Sequence, residues 1–268
     1  MVNQPIIMGV LNITPDSFSD GGLFLDSISA VTQAQLMVAE GAGIIDIGGE
    51  STRPGAPEVS SDDELKRVIP VIEALSGSID VPISIDTSKP IVMKEAFAAG
   101  ASIINDVNAL RSDGALQMAA ELGADVCLMH MQGNPRTMQA NPTYDNVVDD
   151  VKEFFHERIA ACESAGIQLS SITIDPGFGF GKNLGHNIAL LKNLSEFHDF
   201  GVSILAGLSR KSMIGALLGD KDVDSRLIGS VTAALIAAEN GADIIRVHDV
   251  SETKDALTVW EQIQNFRE

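Results

Sequence analysis

The chain has 268 residues, of which 45% are hydrophobic and 21% charged, and its formal net charge at pH 7 is −19. This length and composition predict a protein with one large buried core and argue against intrinsic disorder. So acidic a surface repels nucleic acid and anionic membranes, and we expect neither as a partner. An anionic ligand would bind only where the 18 lysines and arginines are concentrated, so the positions of basic residues are informative.

The expected location is the cytoplasm. No apolar run approaches the roughly 20 residues that a membrane-spanning helix needs. The first residues lack the charged segment and apolar core of a signal peptide. Cys127 and Cys162 fit neither a disulfide framework nor a metal-binding spacing, as expected for a reducing compartment.

A short sequence repeats along the chain. GAGIID at 41–46, GASIIN at 100–105 and GADIIR at 241–246 are close copies, and GADVCL at 123–128 is a looser one. Each glycine follows an alanine-rich helical stretch, as a helix C-cap does, and each is followed by an apolar strand. Strands that are reached through helices run parallel. The repeat therefore predicts a parallel sheet built from helix–strand units.

Eight such units can be counted. The predicted strands are 6–12, 44–50, 83–86, 102–106, 126–130, 172–175, 202–206 and 243–248. The predicted helices are 27–39, 61–75, 90–99, 113–122, 146–165, 187–196, 226–239 and 251–266. Eight alternating units predict an α/β protein, a single-domain (β/α)8 TIM barrel over residues 1–268, with a doubly wound sheet as the alternative.

Almost every predicted strand is apolar until its last residues and then turns polar. These terminal positions are Asn12, Glu50, Asp86, Asn105 with Asp106, His130, Asp175, Gly207, and Arg246 with His248. In a TIM barrel the active site lies at the C-terminal ends of the strands. The pattern therefore predicts a ligand-binding ring at one mouth of the barrel.

Two carboxylates and an amide form the first group in this ring. Asp86, Asn105 and Asp175 end three strands, and Asp175 is followed by a turn that contains three glycines and lets a flat ligand approach the main chain. Three such ligands are too few for a hard-cation site. A heterocycle with an amino group beside a ring N–H suits a carboxylate through two parallel hydrogen bonds. The alternative is an acid–amide network that only supports the rim.

The second group is basic. Arg210 and Lys211 follow the seventh strand, and Arg246 and His248 lie on the eighth, where this fold commonly binds phosphate. A salt bridge to a neighbouring acid is the alternative for Lys211.

Two long loops, which we expect to be mobile, follow the first and second strands. They contain Thr14, Pro15, Asp16, Ser17, Phe18, Ser51, Thr52 and Arg53.

Seven segments in order resemble the signatures of the dihydropteroate synthases. They are MGVLNITPDSFSDGG at 8–22, GGESTRPG at 48–55, SIDT at 84–87, IND at 104–106, DPGFGFGK at 175–182, SRKS at 209–212 and RVHD at 246–249. The resemblance implies condensation of 6-hydroxymethyl-7,8-dihydropterin diphosphate with 4-aminobenzoate, which gives 7,8-dihydropteroate and diphosphate. It also implies a homodimer and a Mg²⁺ ion that bridges Asn12 and the phosphate oxygens.

The resemblance further implies a role for each matching residue. The expected pterin site is Asp86, Asn105, Met129, Asp175, Gly207, Lys211 and Arg246; the expected diphosphate site is Asn12, Arg53, Arg246 and His248. The expected aminobenzoate site is Thr52, Arg53, Pro54, Phe180, Ser209, Arg210 and Lys211. The expected catalytic residues are Asp86, Asp175, Lys211, Arg246 and His248, which support a dissociative loss of diphosphate.

Two alternative functions stay open at this point. A pterin-binding methyltransferase barrel shares the pocket of Asp86, Asn105 and Asp175, but it needs neither the basic segments as diphosphate ligands nor the two loops. A catalytically silent relative would bind a pterin and act as a partner subunit.

The last predicted helix has an apolar stripe that predicts core packing, with a subunit contact as the alternative. The stripe consists of Leu257, Trp260, Ile263 and Phe266.

Overall fold

A computed structural model of the protein describes residues 3–13, 22–51, 56–133 and 137–266. Within these ranges, residues 22–26 are described by their backbone alone. Eight parallel strands form a closed barrel in chain order. They are β1 (Ile6–Asn12), β2 (Ile44–Gly48), β3 (Ile83–Asp86), β4 (Ile103–Asp106), β5 (Asp125–Met129), β6 (Ile172–Asp175), β7 (Ser203–Ala206) and β8 (Ile244–Val247). The barrel closes where β8 pairs with β1, with Met8 opposite Arg246.

Helices alternate with these strands. In the described part of the chain they are α1 (Gly22–Ala39), α2 (Ser61–Ser76), α3 (Pro90–Ala99), α4 (Ala115–Leu122), α5 (Val147–Ser164), α6 (Leu184–Lys192), α7 (Ser212–Leu217), α8 (Leu227–Glu239) and α9 (Val250–Asn265). The prediction of a (β/α)8 barrel is confirmed. The assignment of all of residues 1–268 to one domain stays a prediction.

The helix predicted at 187–196 begins and ends elsewhere. Asn183 caps α6, because its side chain accepts a hydrogen bond from His186 N at 2.8 Å and the His186 side chain reaches back to Asn183 N. This capping box starts the helix before residue 187. After Lys192 the chain continues as a 3₁₀ segment, Leu194–Phe200. The short helix α7 and the 3₁₀ segments Leu169–Ser171 and Val223–Ser225 were not predicted.

The end of the second strand also differs from the prediction. β2 ends at Gly48 rather than at residue 50. Glu50 accepts a hydrogen bond from Val59 N at 3.0 Å and pairs with Lys89, which also pairs with the buried Glu64. Glu50 therefore belongs to a salt-bridge network beside α2 and α3.

The lower interior of the barrel is apolar. Met8, Ile44, Cys127, Leu205 and Ile244 form one buried cluster, against which the partly buried Ile103 packs. Because side chains alternate along a strand, the residues two positions further on face the same interior. Those residues are Val10, Asp46, Asn105, Met129, Gly207 and Arg246. The apolar cluster is thus the floor of a polar layer at the mouth.

The outer core lies between the barrel and its helices. The largest fully buried side chains there include Phe155, Phe178 and Phe197. Phe155 packs edge-on against Phe154 and Phe197, with ring centroids 5.4 and 6.0 Å apart. Over the described residues, no helix is both long and apolar enough to cross a membrane.

Candidate active site

Side chains from β6, from β8 and from the loop after β7 meet beside Gly207, which directly follows β7. A β-carbon at Gly207 would lie 3.6 Å from Lys211 Nζ, 3.8 Å from Arg246 Cβ and 3.9 Å from Asp175 Oδ2. Any side chain here would therefore fill the space between them. The predicted convergence of the acidic and basic groups at the C-terminal mouth is present in the structure.

A buried acid, Asp46, holds the centre of the mouth together. It lies in the middle of β2 with no exposed surface. Its carboxylate accepts hydrogen bonds from Ser84 Oγ at 2.6 Å, Asn105 Nδ2 at 3.1 Å and Arg246 Nε at 2.6 Å. Strands β2, β3, β4 and β8 are therefore joined through one side chain.

Arg246 is held between two carboxylates. While its Nε bonds Asp46, its Nη2 donates to Asp86 Oδ2 at 2.8 Å. Burial raises the pKa of Asp86 to about 7, and the charge of Arg246 acts in the opposite direction. With two nitrogens bonded, the guanidinium plane has a fixed orientation at the mouth.

Asp175 ends β6 and turns back on its own loop. Its Oδ1 accepts a hydrogen bond from Gly177 N at 2.8 Å, while its Oδ2 faces Gly207 and the shared space. Burial raises the pKa of this carboxyl above its ordinary value, and Lys211 and the Gly177 N–H oppose that shift. One oxygen thus bonds the backbone of the turn, and the other faces the space shared with Lys211 and Arg246.

Lys211 spans the gap between the turns after β6 and β7. Its Nζ donates to Phe178 O at 2.7 Å and lies 4.9 Å from the centroid of the Phe180 ring. Burial lowers the pKa of Lys211 to about 8, and the nearby Asp175 opposes this shift. Among the described residues the ammonium group thus bonds a backbone carbonyl and contacts an aromatic ring, and it forms no salt bridge of the kind that the alternative predicted.

The turn after β6 passes so close to the end of β5 that it requires glycine. Gly177 has φ +72°, and a β-carbon there would lie 1.9 Å from His130 O. Gly181 has φ +63°, and its β-carbon would lie 2.7 Å from Gln132 O. Side chains at these positions would displace the backbone, so their glycines fix the path of the turn.

Side chains from outside the turn satisfy its carbonyl groups. Tyr144 OH donates to Gly181 O at 2.7 Å, and Gln139 Nε2 donates to Gly179 O. Lys182 Nζ donates to Phe180 O at 3.0 Å. With Lys211 on Phe178 O, four consecutive carbonyls each receive a side-chain donor.

Lys182 itself is buried, with 3% of its surface exposed. In addition to Phe180 O, its Nζ lies 2.9 Å from His130 Nδ1 and 3.3 Å from His130 O. Burial lowers the pKa of Lys182 to about 7, opposed by Asp175, and burial lowers the pKa of His130 to about 2. The His130 side chain, predicted in the ligand ring, therefore bonds this lysine.

The basic side of the mouth is also tightly bonded. Arg210 Nε donates to Asp249 Oδ2 at 3.0 Å, and its Nη2 pairs with Asp249 Oδ1. Ser209 Oγ lies 3.0 Å from His248 Nδ1 and accepts a hydrogen bond from His248 N at 3.2 Å. The end of β8 and the loop after β7 are thus tied together at two points.

The remaining predicted site residues lie around this centre. Met129 is buried in a cluster with Met131 and Met138, against which Phe180 packs. Asn12 is opposite Gly48 in the sheet, and its Oδ1 would lie 3.6 Å from a β-carbon on that glycine. Ser51 is partly buried. The predictions for Thr14, Pro15, Asp16, Ser17, Phe18, Thr52, Arg53 and Pro54 lie outside the described residues.

Sequence reasoning missed two residues of this site. Asp46 lies inside an apolar strand pattern, and the polar ending of that pattern points to Glu50 instead. Its signal was available, because the repeat that contains Asp46 has Asn105 and Arg246 at the same position. Lys182 was noted only as the last residue of a motif.

Known proteins show the same fold and family features. A profile of the family described as "Pterin binding enzyme" matches residues 8–248. A dihydropteroate synthase from Escherichia coli (strain K12) is 56% identical over 267 residues, which cover 100% of this chain and 94% of that protein.

Solved structures agree. The Xanthomonas albilineans dihydropteroate synthase with 4-aminobenzoic acid is 51% identical at a TM-score of 0.93, covering 99% of this chain and 95% of that one. The same bacterium's enzyme in complex with 7,8-dihydropteroate is 48% identical at a TM-score of 0.90, covering 100% of this chain and 96% of that one. The chain therefore belongs to the dihydropteroate synthases, a family of pterin-binding transferases.

Proposed function

We propose that the barrel mouth condenses 6-hydroxymethyl-7,8-dihydropterin diphosphate with 4-aminobenzoate by a dissociative route, in which diphosphate leaves before the amine attacks. The observation that carries this assignment of residues is the meeting of Asp175, Lys211 and Arg246 beside Gly207. An acid for a pterin edge and two cations thereby share one space. The bound ligands of the two Xanthomonas albilineans structures support the same substrates.

The pterin edge binds on the acidic side. Asp175 Oδ2 accepts from the pterin amino group and the adjacent ring N–H, since Oδ1 is already bonded to Gly177 N. Asn105 uses its amide nitrogen on Asp46, which leaves its carbonyl oxygen as an acceptor for the ligand. Asp86 completes this side. Hydrogen bonds to such buried carboxylates are short and strong.

Arg246 contributes mainly its flat face. Two of its nitrogens are bonded to Asp46 and Asp86, so its plane is fixed and its charge is largely balanced. A fixed guanidinium plane can stack on the pterin ring. The diphosphate then depends on His248, Arg53, Asn12 and the remaining edge of Arg246.

Bond breaking needs positioning and charge stabilisation more than a base. The carbon–oxygen bond to diphosphate breaks, and its electron pair leaves on the oxygen. The pterin ring delocalises the resulting methylene cation. The amine of 4-aminobenzoate forms the carbon–nitrogen bond and loses a proton to diphosphate or solvent. Phe180, Ser209 and Arg210, with Thr52 and Pro54, hold the amine close to the cation, which supplies the rate gain of proximity.

Mg²⁺ fits the oxygen donors that are present. Asn12 Oδ1 and Asp86 Oδ2 lie 3.6 and 3.8 Å from the same point, a β-carbon at Gly48. Mg²⁺ commonly uses few protein ligands and takes the others from phosphate and water. When bound through Asn12 and the diphosphate, the ion would neutralise charge on the leaving group.

We also propose a homodimer that forms through α7 and α8. Apolar side chains are exposed along this face: Leu217 at 55%, Leu218 at 38%, Val223 at 43%, Ile228 at 77% and Ile236 at 40%. A contiguous apolar face on a protein this acidic is typical of an interface. A second copy is the proposed occupant, because the family resemblance implies a homodimer.

A cytoplasmic location is proposed on the chemistry of the cysteines. Cys127 and Cys162 are both free and buried, as expected in a reducing compartment. Recovery of the chain from a secreted fraction would contradict this.

The first test measures diphosphate release. We expect one diphosphate per dihydropteroate when both substrates are present. Diphosphate should also be released without 4-aminobenzoate, although more slowly, because the carbon–oxygen bond breaks before the amine attacks.

Asp175→Asn should lower kcat/KM for the pterin diphosphate roughly 10- to 150-fold, since losing one charged hydrogen bond costs about 1.5–3 kcal/mol.

Asp125→Asn is the matched control, because Asp125 is an exposed strand residue at the opposite end of the barrel. It should behave as wild type. Activity of Asp175→Asn equal to that of the control would refute the proposed pterin site. Absence of diphosphate release from the wild type would instead favour a methyltransferase or a silent pterin-binding relative.

The second test uses pH. Since burial lowers the pKa of Lys211 to about 8, its positive charge is present below pH 8 and is lost above it. We expect kcat/KM for the pterin diphosphate to fall as pH rises through about 8. Lys211→Arg should have a lower maximum but no such fall, because arginine stays protonated. The same basic limb in both proteins would exclude Lys211 as its source.

The third test concerns magnesium. Calorimetry should show that inorganic diphosphate binds the wild type more tightly with Mg²⁺ than with EDTA. Asn12→Ala should lose most of this difference, because the amide oxygen is the proposed ligand. Binding of diphosphate that is unaffected by EDTA in the wild type would rule the proposal out.

The fourth test concerns oligomeric state. Light scattering after gel filtration should give twice the chain mass for the wild type and a lower mass for Ile228→Asp, because a charge would be buried in the interface. Ile263→Asp is the control, since Ile263 is 69% exposed on α9. A monomeric wild type, or dissociation only by Ile263→Asp, would overturn the assignment.

A further inference from the structure

We propose that Lys182 is a positioning residue, whose buried ammonium group fixes the turn at 177–181 and thereby holds Phe180 and Lys211 in place for 4-aminobenzoate. The inference rests on the proposed function and adds to it a residue that does not touch the substrates.

The contacts of Lys182 match the donors of an ammonium group. An ammonium has three N–H donors and no acceptor. Nζ has three acceptors within reach: His130 Nδ1 at 2.9 Å, Phe180 O at 3.0 Å and His130 O at 3.3 Å. A cation can stay buried when every donor is satisfied in this way. The geometry therefore fits the charged form.

His130 is arranged to accept rather than to donate. Its ring packs edge-on against Phe154 at a centroid distance of 4.8 Å and lies 6.1 Å from Tyr144. This apolar setting and the neighbouring cations keep the ring neutral, and burial lowers the pKa of His130 to about 2. Since Nδ1 faces an ammonium, the ring proton belongs on Nε2.

The acceptors of Lys182 connect two layers of the site. His130 directly follows β5, and Phe180 lies on the turn after β6. Lys182 therefore ties the turn to the backbone that Gly177 crosses, where a β-carbon would be 3.3 Å from Nζ and 1.9 Å from His130 O. At this crossing Lys182 adds side-chain bonds to the backbone bond from His130 N to Asp175 O at 2.9 Å.

The hydrogen bonds of Lys182 connect to the proposed aminobenzoate site. Lys182 holds Phe180 O, and the Phe180 ring lies 4.9 Å from Lys211 Nζ. Lys211 in turn bonds Phe178 O on the same turn. If Lys182 loses its donors, the ring and the ammonium group of Lys211 lose a common support, although Asp175 keeps its own bond to Gly177.

The decisive variant is Lys182→Met, which keeps the length of the side chain and removes its donors. We expect KM for 4-aminobenzoate to rise at least about 10-fold, as for the loss of one or more charged hydrogen bonds. We expect a smaller rise in KM for the pterin diphosphate, because Lys211 keeps its bond to Phe178 O and Asp175 keeps its bond to Gly177 N. Lys192→Met is the control, because Lys192 is exposed at the end of α6 and should leave both constants unchanged.

Two variants of His130 test the same bond while Lys182 stays in place. Asn at position 130 offers an oxygen close to the position of Nδ1, so His130→Asn should keep KM for 4-aminobenzoate near the wild-type value. His130→Leu removes the acceptor and should raise it. In the double variant His130→Leu/Lys182→Met, the rise in KM for 4-aminobenzoate should not exceed that of Lys182→Met alone, since both changes remove the same hydrogen bond.

Two results would contradict a positioning role for Lys182. A residue that only stabilises the fold would lower the melting temperature and the fraction of active sites, with KM for 4-aminobenzoate unchanged in the remaining enzyme. That result, or additive effects in the double variant, would overturn the proposal. If Lys182→Met does not fold, the comparison of His130→Leu with His130→Asn decides. Wild-type turnover tests the proposed function separately, because it involves no variant.

Discussion

The ion pair between Asp46 and Arg246 is the interaction on which the mouth of this barrel depends. Asp46 is fully buried, and the side chain of Arg246 is 21% exposed. Taking such charges out of water costs several kcal/mol per ion, which is recovered only when geometry and further hydrogen bonds are good. Here Ser84 and Asn105 supply those bonds. Removing either charge would leave the other buried without its partner.

This pair divides the mouth into two sides with different charge. Toward β3 and β4, Arg246 faces Asp86, and Asp46 faces Asn105, so a ligand meets acceptors. Asp175 at the end of β6 adds another acceptor beside Gly207, and the cation Lys211 reaches the same space from the loop after β7. A flat heterocycle with donors on one edge and an anionic substituent on the other matches this division. The floor below these groups is apolar, and a low local dielectric strengthens hydrogen bonds.

Much of the fold follows from local sequence. The repeat at Gly41, Gly100 and Gly241 marks three helix ends and the strands after them, and the structure has β2, β4 and β8 there. Short elements were harder to predict, because the six residues of α7 are too few for a clear helical period. Helix α6 started early because Asn183 and His186 form a capping box that does not follow the Ser/Thr–Glu pattern.

The site was predictable where strands end and less so elsewhere. Asp86, Asn105 and Asp175 stand out because each interrupts an apolar run at its last positions. Asp46 has apolar neighbours on both sides, so only the repeat, which has Asn105 and Arg246 at the same position, points to it. Its other partner, Ser84, becomes visible in the sheet register, where the two residues are opposite each other. Lys182 could not be assigned from sequence, since its acceptors are 52 residues away at His130 and on the turn itself.

The crossing at Gly177 also bears on which positions of the site can vary. Because main chain meets main chain there, no side chain at that point can differ between this protein and another without moving both strands' loops. The shape of the turn at this point is therefore set by backbone, whereas Phe180 and Ser209 are positions at which substitution can change the side chain without moving two backbone segments.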